Sequence, residues 1–86
     1  MSWHVYIVKC ADGSLYTGIA LEVEERIKTH NSGKGAKYTR SRLPVRLVYR
    51  EYVGDKGDAL RRELDIKKLT PKAKHQLIAH HEIKCD

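Results

Sequence analysis

Five residues of this 86-residue sequence are of types that can break a phosphodiester bond. Tyr6 stands in the segment VYI and Tyr16 in YTG, Arg26 and His30 lie four apart in EERIKTHN, and Glu63 lies in LRRELDIKKL. Hydrolysis of a phosphodiester needs a water nucleophile, a group to take its proton, positive charge beside the phosphoryl oxygens and, commonly, a metal ion held by a carboxylate. Tyrosine and histidine can handle the proton, arginine the charge and glutamate the metal. Taken singly, each has an ordinary explanation. Strand tyrosines are usually packing residues, an Arg–His pair at this spacing is usually a solvated helix face, and a glutamate among Arg61, Arg62 and Lys67 usually makes surface pairs worth little.

The elements that must position these residues can be read from local pattern. Residues 3–10 and 15–20 are rich in Val, Ile, Tyr and Thr and flank Ala11-Asp12-Gly13-Ser14, which predicts a β-hairpin. A two-residue turn at Asp12-Gly13 would pair Lys9 with Tyr16 and place the tyrosines on opposite faces. A three-residue loop, Ala11-Asp12-Gly13 with Gly13 left-handed, pairs Tyr6 with Gly18 and Val8 with Tyr16, so that both phenols share a face. In that register Gly18 leaves a space beside Tyr6. From Leu21 to about Ser32, early acids, Val23 and Ile27 at helical spacing and Gly33 beyond the last turn predict an amphipathic helix that puts Arg26 and His30 on one face.

The segment SGKGAKYTRSRLP predicts a polar, basic loop with at most one helical turn, ending at Pro44, and VRLVYREYV a third strand over residues 45–53. A helix capped by Asp55 or Asp58 follows to about Leu69, with Leu60, Leu64 and Leu69 on its buried side and Glu63 beside that stripe. Thr70-Pro71 then ends one helix and starts another, running to about Ile83 and burying Ala73, Leu77 and Ile78. The expected class is α/β of the α+β kind: a small three-stranded antiparallel sheet flanked by helices, in the order β-β-α-β-α-α, as a single domain over residues 1–86.

Charge narrows the partner. Lys and Arg total 17 against 11 Asp and Glu, a formal net charge of +6, which draws polyanions by long-range field and counterion release. The loop Gly33–Arg42 holds Lys34, Lys37, Arg40 and Arg42 with no acid, and Lys67, Lys68, Lys72 and Lys74 form a second cluster. No apolar run is long enough to span a bilayer and the start lacks a charged segment before its apolar residues, so a cytoplasmic protein is expected. Cys10, expected in a strand, and Cys85 form no CxxC pair, and both are expected to be reduced thiols rather than zinc ligands or part of a disulfide framework. His80-His81 are adjacent and diverge on a helix, GKGAKYT lacks the spacing of a phosphate-binding P-loop, and Trp3, Tyr49 and Tyr52 are expected to serve packing more than base stacking.

The ordered set VYI, YTG, a helix with Arg and His-Asn, and a later helical Glu resembles the GIY-YIG nuclease domain, over essentially the whole chain and in its short, stand-alone bacterial form. Val5-Tyr6-Ile7 stands where that family has GIY, Tyr16-Thr17-Gly18 where it has YIG, Arg26 at its helical arginine, His30-Asn31 at its His-Asn pair and Glu63 at its metal-binding glutamate. The resemblance implies a metal-dependent endonuclease with catalytic Tyr6, Tyr16, Arg26, His30 and Glu63. Glu63 would hold one Mg²⁺ or Mn²⁺, Tyr6 would take a proton from water, Tyr16 would lie against the scissile phosphate, and His30 would act as a base or a phosphate donor. Gly18, Asn31, Lys34, Lys37, Thr39 and Arg40 are the expected nucleic-acid contacts, Gly18 by leaving the backbone room for substrate. DNA is the expected substrate, read by structure more than by base sequence, with repair or recombination proteins as partners. A nucleic-acid-binding module without catalysis is the alternative. Two departures stand out: Ile19 occupies the place where several members carry lysine, and the asparagine some relatives place after the glutamate has no counterpart in DIKKLTPKAKHQ.

Overall fold

The computed structural model describes residues 2–84, with side chains to His80. Its elements are β1 (Trp3–Lys9), β2 (Leu15–Ala20), α1 (Val23–Asn31), the single turn α2 (Lys37–Arg40), β3 (Arg46–Gly54), α3 (Lys56–Lys67) and α4 (Pro71–Lys84). The sheet is antiparallel in the order β2-β1-β3, so β1 is central. Tyr6 pairs with Gly18 and Val8 with Tyr16, the register of the three-residue loop. Gly13 takes φ +86° there, its N–H donates to Cys10 O at 2.9 Å, and Asp12 Oδ1 accepts from Ser14 N at 3.0 Å. Cys10 is buried with a free thiol just beyond the end of β1 rather than within it; Cys85 lies outside the described residues.

Alternation along β1 divides the core in two. Tyr6 and Val8 face α1 with Ala20, Val23, Ile27 and Leu47, while Val5 and Ile7 face α3 and α4 with Tyr49, Ala59, Ile66, Leu77 and Ile78. Trp3 and Tyr49 belong to this second core, whereas Tyr52 is 65% exposed, edge-on to His4. The third strand and third helix correct two expectations. β3 spans Arg46–Gly54, one residue later than expected, and α3 ends at Lys67, before Leu69.

The stripe of α3 on the sheet is Ala59 and Ile66, both fully buried, while Leu60, Leu64 and Leu69 are 42%, 54% and 37% exposed. The stripe that packs on Val5 and Ile7 is the one carrying Ala59 and Ile66, to which the leucines are offset; Arg62, on the same side, donates through Nε to Glu51 of β3 at 3.0 Å, which also accepts from Tyr49 Oη at 2.5 Å. Asp55 caps α3 through the N–H groups of Gly57 and Asp58, and Thr70 Oγ1 accepts from Ala73 N at the start of α4. Ala73, Leu77 and Ile78 are half-buried. Among the described residues no helix is long and apolar enough to cross a membrane.

Candidate active site

Tyr6 occupies the middle of the central strand and is 1% exposed. Its ring lies over Gly18: a Cβ at position 18 would stand 2.6 Å from the Tyr6 hydroxyl oxygen and 2.8 Å from its Cζ. The space opened by that glycine, expected to admit substrate backbone, is therefore filled by the tyrosine itself. Gly18 seats Tyr6.

His30, in the last turn of α1, is fully buried because that helix is closed by Gly33 in the left-handed region, φ +83°, and the chain returns over the imidazole. Its Nε2 lies 2.8 Å from the Tyr6 hydroxyl and its Nδ1 2.9 Å from Thr39 Oγ1. Thr39 has one hydroxyl proton, and it donates that proton to Ala36 O at 2.9 Å. Nδ1 must then carry a hydrogen and donate to Thr39, which leaves Nε2 as the acceptor of the Tyr6 O–H in the neutral ring. Burial, seconded by the charge of Arg26, holds the His30 pKa below its usual 6.5 and keeps that ring neutral near pH 7.

The same burial pushes the Tyr6 phenol up to about 12, with Arg26 opposing the shift as hydrogen-bond partner and positive charge, and with Tyr16 and Glu63 adding to it. Tyr16 stands edge-on to His30 with ring centroids 5.5 Å apart and stacks on Tyr38 at 5.9 Å and 22°. Arg42 covers Tyr38, its Cζ 4.0 Å from the ring centroid, and ties α2 to the hairpin turn through Asp12 at 3.1 Å. Glu63 comes from α3, which packs along the edge strand β2; its side chain is 15% exposed and pairs with Lys67 at 3.5 Å. His30 thus bonds the Tyr6 phenol, and the charges of Arg26, Tyr16 and Glu63 act on it.

No group of three or more His, Cys, Asp or Glu side chains able to hold a metal occurs among the described residues. Glu63 is a lone carboxylate donor. That set does not suit zinc, which takes three or four protein ligands, but it fits Mg²⁺ or Mn²⁺, which keep several waters and are held by one or two protein carboxylates together with substrate phosphate.

The expected nucleic-acid contacts separate into two groups. Lys34, Lys37 and Arg40 are exposed on the loop and on α2, and none takes part in the ion pairs among the described residues. Thr39 is corrected to an internal role, while Asn31, exposed at the end of α1, also binds the backbone of Val45. Thr39 is fully buried against His30. Asn31 Nδ2 donates to Val45 O at 3.0 Å and its Oδ1 accepts from Val45 N at 2.8 Å, pinning the approach to β3 beneath α1. Asn31→Ala leaves both groups of Val45 without that partner and is expected to cost about 2 kcal/mol, read in thermal unfolding as a fall of roughly 10 °C for a chain of this size.

Sequence reasoning passed over Gly35 and Tyr38. A Cβ at Gly35 would lie 2.3 Å from His30 Nδ1 and 2.8 Å from His30 Cα, so the loop can close on the imidazole only without a side chain there. The available signal was a second glycine, in GKGAKYT, that no turn explains.

A hairpin carrying two tyrosines on one face, closed by a helix with Arg and His and flanked by a helical Glu, defines a GIY-YIG domain. The chain belongs to that family: the model of the GIY-YIG catalytic domain matches residues 2–76, and the family is one of nucleases. Within it the chain is similar to UPF0213 proteins. It is 55% identical over 82 residues to UPF0213 protein DP2720 of Desulfotalea psychrophila, covering 94% of this chain and 74% of that one. It is 54% identical over 76 residues to UPF0213 protein SSP2268 of Staphylococcus saprophyticus, covering 88% and 93%. Two solution NMR structures share the fold: UPF0213 protein BH0048 of Bacillus halodurans, with TM-score 0.59 and 49% identity over 92% of this chain and 84% of that one, and EF2693 of E. faecalis, with TM-score 0.64 and 39% identity over 96% and 88%.

Proposed function

We propose that the protein is a metal-dependent endonuclease that hydrolyses phosphodiester bonds of DNA, selecting structure rather than base sequence, in repair or recombination in the cytoplasm. The observation that carries this reading is the buried chain Tyr6–His30–Thr39, whose tautomer leaves Nε2 free to accept a proton from the Tyr6 hydroxyl. A phenol with a pKa of about 12 is a poor base by itself. A relay avoids the resting phenolate. Water gives a proton to the Tyr6 oxygen as Tyr6 gives its own to His30 Nε2; the water oxygen forms the new P–O bond while the P–O3′ bond breaks, the 3′ oxygen takes a proton from solvent, and His30 returns its extra proton to solvent, so that the Tyr6 O–H is renewed.

Tyr6 is 1% exposed, so water and phosphate would approach its hydroxyl from the side of the partly exposed Tyr16, Arg26 and Glu63. Arg26 balances negative charge on the phosphoryl oxygens, Tyr16 lies against the phosphate, and Lys34, Lys37 and Arg40 hold the flanking backbone. Glu63 is the residue that would hold Mg²⁺ or Mn²⁺, and the bound ion supplies positive charge for the leaving 3′ oxygen.

The test is cleavage of supercoiled, single-stranded and branched DNA in Mg²⁺, Mn²⁺ or EDTA, for the wild type and for Glu63→Ala prepared identically. Cutting is expected to stop in EDTA and to fall by at least about 10²-fold in Glu63→Ala. DNA binding measured in EDTA should be kept or tightened, since a carboxylate that repels phosphate has gone. Binding without any cutting, or cutting unchanged in the variant, would instead make the protein a nucleic-acid-binding module of this fold.

A further inference from the structure

Three surface cavities adjoin one another around the hairpin end of the sheet. The first, of about 270 Å³, begins at Tyr16 and Tyr38 and is lined by Leu15, Lys67 and Lys74. The second, of about 210 Å³, shares Leu15 and Lys74 with the first and adds His75 at the start of α4. The third, of about 230 Å³, shares Leu15 and His75 with the second and ends at Lys9 and Arg46. Through these shared residues the three cavities lie in succession, from Tyr16 at one end to Lys9 and Arg46 at the other, and are treated as one groove.

Its chemistry is of one sign. No aspartate or glutamate lines any of the three cavities, and Lys9, Arg46 and Lys74 take part in none of the ion pairs among the described residues. Lys9 and Arg46 are moreover direct cross-strand partners. Like charges placed opposite each other destabilise a sheet, so the two side chains oppose the backbone pairing they flank, a cost that an anion between them would relieve.

We infer that this groove is the track for a single strand of nucleic acid leading away from the scissile phosphate, with its phosphates on Lys74, Lys9 and Arg46 and its entry beside Tyr16. The inference rests on the nuclease reading for what happens at Tyr16, but not for binding. Concave cells of this size admit one strand, whereas a duplex is too wide to enter them and would lie across the exposed loop lysines instead.

The experiment measures fluorescence anisotropy of labelled dT20 and of a 20-base-pair duplex in EDTA over a range of salt. The groove variant is Lys9→Gln/Arg46→Gln/Lys74→Gln, and a control, Lys28→Gln/Lys56→Gln/Arg61→Gln, removes the same three charges elsewhere from the net +6. The groove variant is expected to lose roughly tenfold or more in affinity for dT20 and about 2 in the slope of log affinity against log salt, with a smaller loss for duplex and little change in the control. Equal losses in the two variants, or an equal loss for strand and duplex in the groove variant, would overturn the track. Cleavage assayed in parallel separates the two readings: a groove variant that loses strand binding while the wild type never cuts keeps the track and removes the nuclease, and the converse keeps the nuclease and removes the track.

Discussion

Replacing Tyr6 by phenylalanine is expected to lower DNA cleavage by about 10²–10⁴-fold, the range a positioned acid–base group contributes, with affinity for DNA nearly unchanged. The substitution keeps the ring that fills the space over Gly18 and removes only the oxygen that links water to His30 Nε2. Single-turnover cleavage beside anisotropy in EDTA separates the two effects, and a loss confined to affinity would make Tyr6 a packing residue. Phenylalanine also leaves Nε2 buried without its partner, which is expected to cost about 1–3 kcal/mol of stability.

The pH profile follows from the same link. Cleavage through the relay needs an unprotonated Nε2, and burial with Arg26 holds the His30 pKa below 6.5. The rate should hold at neutral pH and fall as pH drops through that lowered value. Stability moves in the same direction: because the folded pKa is depressed, the stabilisation due to His30 is fully present above pH 6.5 and is lost as pH falls through the folded value.

Gly35→Ala is expected to be the most damaging single methyl group that can be added to this site. Its Cβ would stand 2.3 Å from His30 Nδ1 and 2.8 Å from the His30 Cα, and the second of these is backbone that cannot swing aside. Either the loop lifts from α1 or the imidazole leaves Thr39. The cost is that of overpacking a core, about 1–3 kcal/mol, together with cleavage reduced as far as in Tyr6→Phe. Long-range ¹⁵N–¹H correlation of the His30 ring supplies a readout that a merely destabilised chain would not move. The wild type should show hydrogen on Nδ1, and the folded fraction of Gly35→Ala should lose that signature. A variant with unchanged melting and an unchanged ring spectrum would remove the glycine from the site.

Much of this site is legible in the chain because its parts depend on short-range rules. Local turn chemistry places the hairpin loop at Ala11-Asp12-Gly13-Ser14 and leaves two registers, and the observed pairing of Tyr6 with Gly18 is that of the three-residue loop, in which both phenols share a face. The end of α1 follows from Gly33, and the start of α4 from Thr70-Pro71. The α3 leucines were misplaced for an identifiable reason. Their spacing describes an apolar stripe, but helical periodicity is silent about which stripe meets the sheet, and here it is that of Ala59 and Ile66, packed with Val5 and Ile7.

What the sequence by itself determined is the list of reacting types, their order, the turn chemistry that sets the hairpin, and the positive charge that calls for a polyanion. These are properties of neighbouring residues and of composition, and they need no partner distant in the chain. Only the tertiary structure decided which of the candidate residues stand partly exposed and which are buried and bonded within the chain. Gly18 lies under the Tyr6 ring, Asn31 holds the backbone of Val45, and Thr39, nine positions from His30, sets the tautomer that makes Nε2 an acceptor. The groove from Tyr16 to Lys9 and Arg46 is likewise a tertiary product. Its charges come from β1, β3, α3 and α4, and only the pairing of distant strands with the packing of helices on them can bring such residues to one surface.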